Sequence, residues 1–74
     1  MKSINAYLSR KAQAVEPGAL VYCEELEEDG ARWEEWTLEI DADKHTAIGL
    51  GENFGEAKAG VLAWVKSRRA RAEA

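Results

Sequence analysis

The sequence predicts a small α+β domain of order α-β-β-β-α, a three-stranded antiparallel meander with two helices packed on one face. Three observations lead there. Apolar residues recur at helical spacing near both ends of the 74-residue chain. The middle alternates at strand spacing. Turn-forming residues separate the runs.

The first helix is expected over residues 3–14. Ser3 serves as its N-cap. Ile4, Tyr7, Leu8, Ala12 and Val15 form its apolar stripe, and Pro17-Gly18 ends it. Ala19-Leu20-Val21-Tyr22-Cys23 then opens a strand that continues through Glu24 to Glu28. Glu28-Asp29-Gly30 supplies a turn in which Gly30 takes positive φ. Along the next run, Trp36, Leu38 and Ile40 fall on one face, with Trp33, Glu35, Thr37 and Glu39 on the other. Asp41-Ala42-Asp43-Lys44 reads as a second turn, and His45 to Leu50 as the third strand. Asn53 and Glu56 have capping-box spacing. Phe54, Ala57, Val61, Leu62 and Val65 then form the last stripe, with Trp64 at its margin. Residues 68–74 read as a frayed basic tail on a single domain spanning 1–74.

Charge is partitioned along the chain. Residues 16–56 hold thirteen acids against Arg32 and Lys44, a net of -11 within an overall -4. The flanking helical segments are basic, at +3 for residues 1–15 and +4 for residues 57–74. Such asymmetry bears on partners and steering more than on fold. Like charges on adjacent strands repel; beside solubility and guarding an edge, the charge is expected to serve a partner.

Few groups suit chemistry. Cys23 and His45 are each the single residue of their type. Neither a disulfide nor a multi-cysteine metal site can form within one chain, and no cofactor motif is present. The Glu24–Asp29 run lacks the glycine-centred spacing of a calcium loop. The N-terminus lacks a signal-peptide apolar run, and no segment has the length of a membrane span. These features predict a cytoplasmic, non-enzymatic binding protein.

The stretch Gly49-Leu50-Gly51-Glu52-Asn53-Phe54-Gly55-Glu56-Ala57-Lys58, set in this element order, resembles the double-stranded-RNA-binding domain. Gly49, Gly51, Ala57 and Lys58 fit that family's pattern, and Asn53 stands where it has a capping serine. The resemblance implies the fold and, in the family, a grip on duplex phosphate. The family's two successive lysines fall here on Phe54 and Gly55. Its groove-reaching turn falls on Glu28-Asp29-Gly30-Ala31, where acids repel phosphate. Duplex affinity rests on cationic contacts, so the resemblance carries fold without function.

The leading expectation is therefore an acidic strand region that engages a basic protein surface of a nucleic-acid-handling complex. Trp33, Glu35, Glu39, Glu25, Glu27, Glu28 and Asp29 are its contact residues, with Trp33 as anchor. Size and charge resemble phage-encoded accessory proteins, including nucleic-acid mimics and anti-CRISPR inhibitors. The alternative is a duplex-RNA-binding module that uses Lys2, Arg10, Lys11, Lys58 and Arg68 on the helical face. A homodimer through the open sheet face or an edge strand is compatible with either.

Overall fold

A computed structural model describes residues 1–41, 43–44 and 46–73. The expected turn at Ala42 and the strand start at His45 lie outside the described residues. The fold is α+β, with a four-stranded antiparallel sheet of order β1-β2-β3-β4 and two helices. In chain order the elements are β1 (Lys2–Ile4), α1 (Ala6–Gln13), β2 (Leu20–Glu28), β3 (Ala31–Asp41), β4 (Thr46–Gly51) and α2 (Phe54–Glu73).

The expected three-stranded meander is thus corrected to four strands. Residues 2–4, expected as the first helical turn, instead pair with β2 through Lys2↔Glu24, Ser3↔Cys23 and Ile4↔Tyr22. β2 runs well past the helices into the acidic segment, and its outer side offers ladder partners that the N-terminus takes. The helix consequently starts later. Asn5 is its N-cap, its side-chain oxygen accepting from Leu8 N at 2.9 Å. Asn5 N also donates to Val21 O at 2.8 Å, so one residue ends the strand pairing and begins the helix. Ile4 leaves the predicted stripe and is 64% exposed.

α1 covers the β2 edge where β1 stops. The buried Ser9 hydroxyl accepts from Val21 N at 2.8 Å and donates to Val21 O at 3.2 Å. Both polar groups of a buried strand residue are thereby satisfied. Gln13 Nε2 donates to Ala19 O at 3.0 Å and holds the following turn.

The β2–β3 hairpin closes through Asp29 and Gly30, with φ of 51° and 81°. Positive φ at both central residues is the turn geometry that matches strand twist, and Asp-Gly suits it. Register pairs Val21 with Leu38 and Cys23 with Trp36. These side chains point to one face, where Leu8, Ala12, Ala57, Val61 and Val65 bury against Val21, Trp36 and Leu38 in a single core. Both helices therefore pack on one sheet face.

Asn53 caps α2 by accepting from Glu56 N at 2.8 Å. Ahead of it, Gly51 has a φ of 145°, and a Cβ there would fall 2.5 Å from Glu56 Cβ. Glycine is required at this crossing. The α2 stripe is narrower than predicted. Ala57, Val61 and Val65 are buried, whereas Phe54 and Leu62 are 42% and 44% exposed. Nor do Arg68, Arg69 and Arg71 form a frayed tail, since α2 continues to Glu73. Alanine and arginine are strong helix formers, and Arg68 pairs with Glu16 of the α1–β2 turn. Among the described residues, no helix is long and apolar enough to cross a membrane.

Candidate functional site: the uncovered sheet face

Side chains alternate across a strand, so the residues between the core positions point away from both helices. Register arranges them in rows across the sheet. Leu20 aligns with Glu39 and Ala47. Ile4 aligns with Tyr22, Thr37 and Gly49. Lys2 aligns with Glu24 and Glu35, and Leu26 with Trp33. Aromatic and aliphatic groups thus alternate with carboxylates on a face that neither helix covers.

Trp33 is partly exposed there, and its indole N–H donates to Glu35 Oε1 at 3.3 Å. Lys2 Nζ stands 4.6 Å from the Tyr22 ring centroid, in cation–π range. Glu24 faces Glu35 directly, and Lys2 is the base aligned with that row.

The predicted contact residues divide between the two faces. Trp33, Glu35 and Glu39 lie on the uncovered face. Glu25 and Glu27 point to the helix side, in the part of the hairpin that extends past the helices. Glu25 faces Glu34 there, and Glu27 pairs with Arg32 at 3.4 Å. Glu28 and Asp29 mark the exposed hairpin tip. A depression of about 410 Å³ at this end is lined by residues of both sets, among them Glu25, Glu27, Trp33 and Glu34. The acidic segment is therefore a two-sided projection rather than one acidic plane. Strand-period reading missed Ile4, Leu20, Tyr22 and Glu24. Carrying the alternation of β3 across to β2 would have found the last three, whereas Ile4 required knowledge of β1.

Glu34 and Glu25 also flank Cys23 on the helix side. Burial first, and then the charges of Glu34 and Glu25, push the Cys23 thiol above its ordinary pKa, against an opposing pull from the N-terminal ammonium. The shift keeps the thiol protonated further into the alkaline range than a free cysteine.

The alternative basic set is also divided. Arg10 and Lys11 line a groove of about 450 Å³ between α1 and α2, together with Tyr7, Leu62, Val65 and Arg69. Lys11 and Lys58 hold their ammonium groups 5.1 and 5.9 Å from the Tyr7 ring centroid. Lys2, by contrast, belongs to the opposite face of the molecule. Arg68 is engaged by Glu16 and lies 5.2 Å from the Trp64 ring. Arg69 and Tyr7 were not foreseen in this set; their place follows from the helix–helix contact. Phe54 packs edge-on to Trp36 at 5.8 Å and beside Tyr7 at 6.3 Å. No group of three or more His, Cys, Asp or Glu side chains among the described residues converges as a metal site would require.

No protein-family model, curated protein or solved structure matches this chain.

Proposed function

We propose that this chain is a non-enzymatic binding protein whose uncovered sheet face engages a basic protein surface. One observation carries the reading. On that face Glu24 and Glu35 are a directly opposed register pair of like charge, and Glu25↔Glu34 repeats the repulsion on the helix side of the same hairpin. Directly opposed like charges destabilise a sheet, and a basic partner removes that cost on binding. Trp33, beside Glu35, supplies the apolar anchor that charge alone lacks. A partner that handles nucleic acid fits this chemistry, because its phosphate-binding groove is already basic. The small size and the -11 charge of residues 16–56 support a nucleic-acid mimic of the anti-CRISPR type.

Affinity capture from a bacterial lysate, with mass spectrometry of what is retained, tests this. A basic protein should be held by the wild type, released as salt approaches about 1 M, and lost with Trp33→Ala or Glu35→Lys. Retention indifferent to salt and to both substitutions defeats the reading.

A second reading rests on Tyr7 with Lys11 and Lys58 around its ring, beside Arg10 and Arg69. Cations around an exposed aromatic suit a phosphate backbone with an unstacked base. A gel shift at low salt with duplex and single-stranded RNA distinguishes it; absence of any shift for either removes this reading.

A further inference from the structure

The two edges of the sheet are treated differently. On the outer side, β1 is three residues long, carries Lys2, and gives way to the Ser9 and Asn5 bonds that close Val21. Short length, a lysine and a covering helix are the usual means of closing an edge. β4 has none of them. It is twice as long, and Thr46-Ala47-Ile48-Gly49-Leu50-Gly51 contains neither a charge nor a proline. Thr46 through Gly49 are exposed, and no strand lies on its outer side among the described residues. α2 packs over the helix-side face of β4, with Gly60 against Leu50, and leaves the other face open.

An edge of this kind accepts an added strand, with main-chain hydrogen bonds giving affinity and alternate side chains giving selectivity. The charge beside β4 selects the occupant. On the uncovered face β4 presents the small residues Ala47 and Gly49, between two register shifts of the β3–β4 pairing, and a Cβ built at Gly49 would meet nothing within 4 Å. Immediately beyond them on β3 are Glu39, aligned with Ala47, and Thr37, with Glu35 next along that face. A lysine or arginine on an added strand would pass over this low floor and reach Glu39.

We propose that the partner docks by adding an extended basic segment to the β4 edge, its lysines or arginines at every second position directed over Ala47 and Gly49 to Glu39. This rests on the proposed engagement of a basic protein, and it specifies the form that engagement takes.

The probe is a short synthetic peptide of alternating lysine and threonine, with two isomers N-methylated at one or the other alternate set of backbone amides. Charge is the same in all three. In strand addition one set of amides faces β4 and the other faces away, so one isomer binds like the parent and the other is lost. Amide hydrogen exchange across Thr46–Gly51 should slow by about tenfold or more with the parent, the change that about 1.4 kcal/mol of binding stabilisation produces. Glu39→Gln should weaken the parent peptide.

Equal binding of all three peptides with unchanged β4 exchange overturns strand addition and leaves the acidic-face reading standing. So does absence of peptide binding while the wild type still captures a basic protein that Glu35→Lys loses. Binding indifferent to Glu39→Gln overturns the assigned contact. Protection of β4 without peptide, rising with protein concentration alongside a dimer mass, assigns the edge to a second copy and also overturns the proposal. The acidic-face reading itself fails only in the capture experiment.

Discussion

Removing the Ser9 hydroxyl would leave the buried Val21 amide without its partner. Ser9 is 3% exposed and makes two bonds to one strand residue. An orphaned buried donor costs about 1–3 kcal/mol, so Ser9→Ala should lower stability by that amount in urea unfolding. Cys23 makes a second prediction. Its folded pKa is raised, chiefly by burial and then by Glu34 and Glu25. The contribution to stability is therefore full at neutral pH, where the thiol is protonated in both states. It is lost as pH rises through the ordinary thiol range toward the folded value. Alkylation of Cys23 at mildly alkaline pH should be slower in the native protein than in urea, and urea midpoints should fall as pH climbs through that interval. The choice of N-cap depends on tertiary context in the same way. Ser3 and Asn5 are both good caps, and the sequence offered no local reason to choose Asn5. The Asn5 N to Val21 O bond made the choice.

The β2–β3 hairpin is the element whose sequence was most legible. Asp-Gly marked its turn, and the alternation of Trp36, Leu38 and Ile40 identified the core-facing side. Its energetic peculiarity follows from register, which a sequence does not print. Because Glu24 faces Glu35, Glu35→Lys replaces repulsion with attraction. It should stabilise the fold by about 0.2–1 kcal/mol while abolishing capture of a basic partner. Opposite movement of stability and binding, measured on the same variant by urea unfolding and affinity capture, is the signature of a charge kept for a partner; loss of both would mean that Glu35 is structural. β1 illustrates the limit of pattern reading. Three residues are too few for a period to emerge, and Lys2-Ser3-Ile4 becomes a strand only because β2 extends beside it. The α2 stripe was overdrawn for a related reason. Leu62 has the right spacing, but Val61 and Val65 enter the core, and Leu62 lines the groove between α1 and α2.

The molecule as a whole measures 48 × 26 × 18 Å, with the acidic hairpin extending past a core beneath basic helices. Charge separated in this way orients an approaching partner over distances comparable to the Debye length, about 30 Å at 0.01 M salt and about 3 Å at 1 M. Under the proposed function, the association rate with a basic partner should fall by about tenfold or more across that range. Stopped-flow measurement of the partner's binding would check this, and a rate unmoved by salt would show that steering contributes nothing.

Local chemistry in the sequence determined both helices in outline, the acidic hairpin and its turn, the capped start of α2, and the confinement of negative charge to the middle of the chain. Turn residues and side-chain period act over a few positions, so they survive without tertiary context. The fourth strand, the rows of the uncovered face, the division of the carboxylates between two faces, and the contrast between a closed β1 edge and an open β4 edge were decided by tertiary structure. Each depends on pairing between segments distant in the chain, where register and the available ladder partners, rather than local preference, set the outcome.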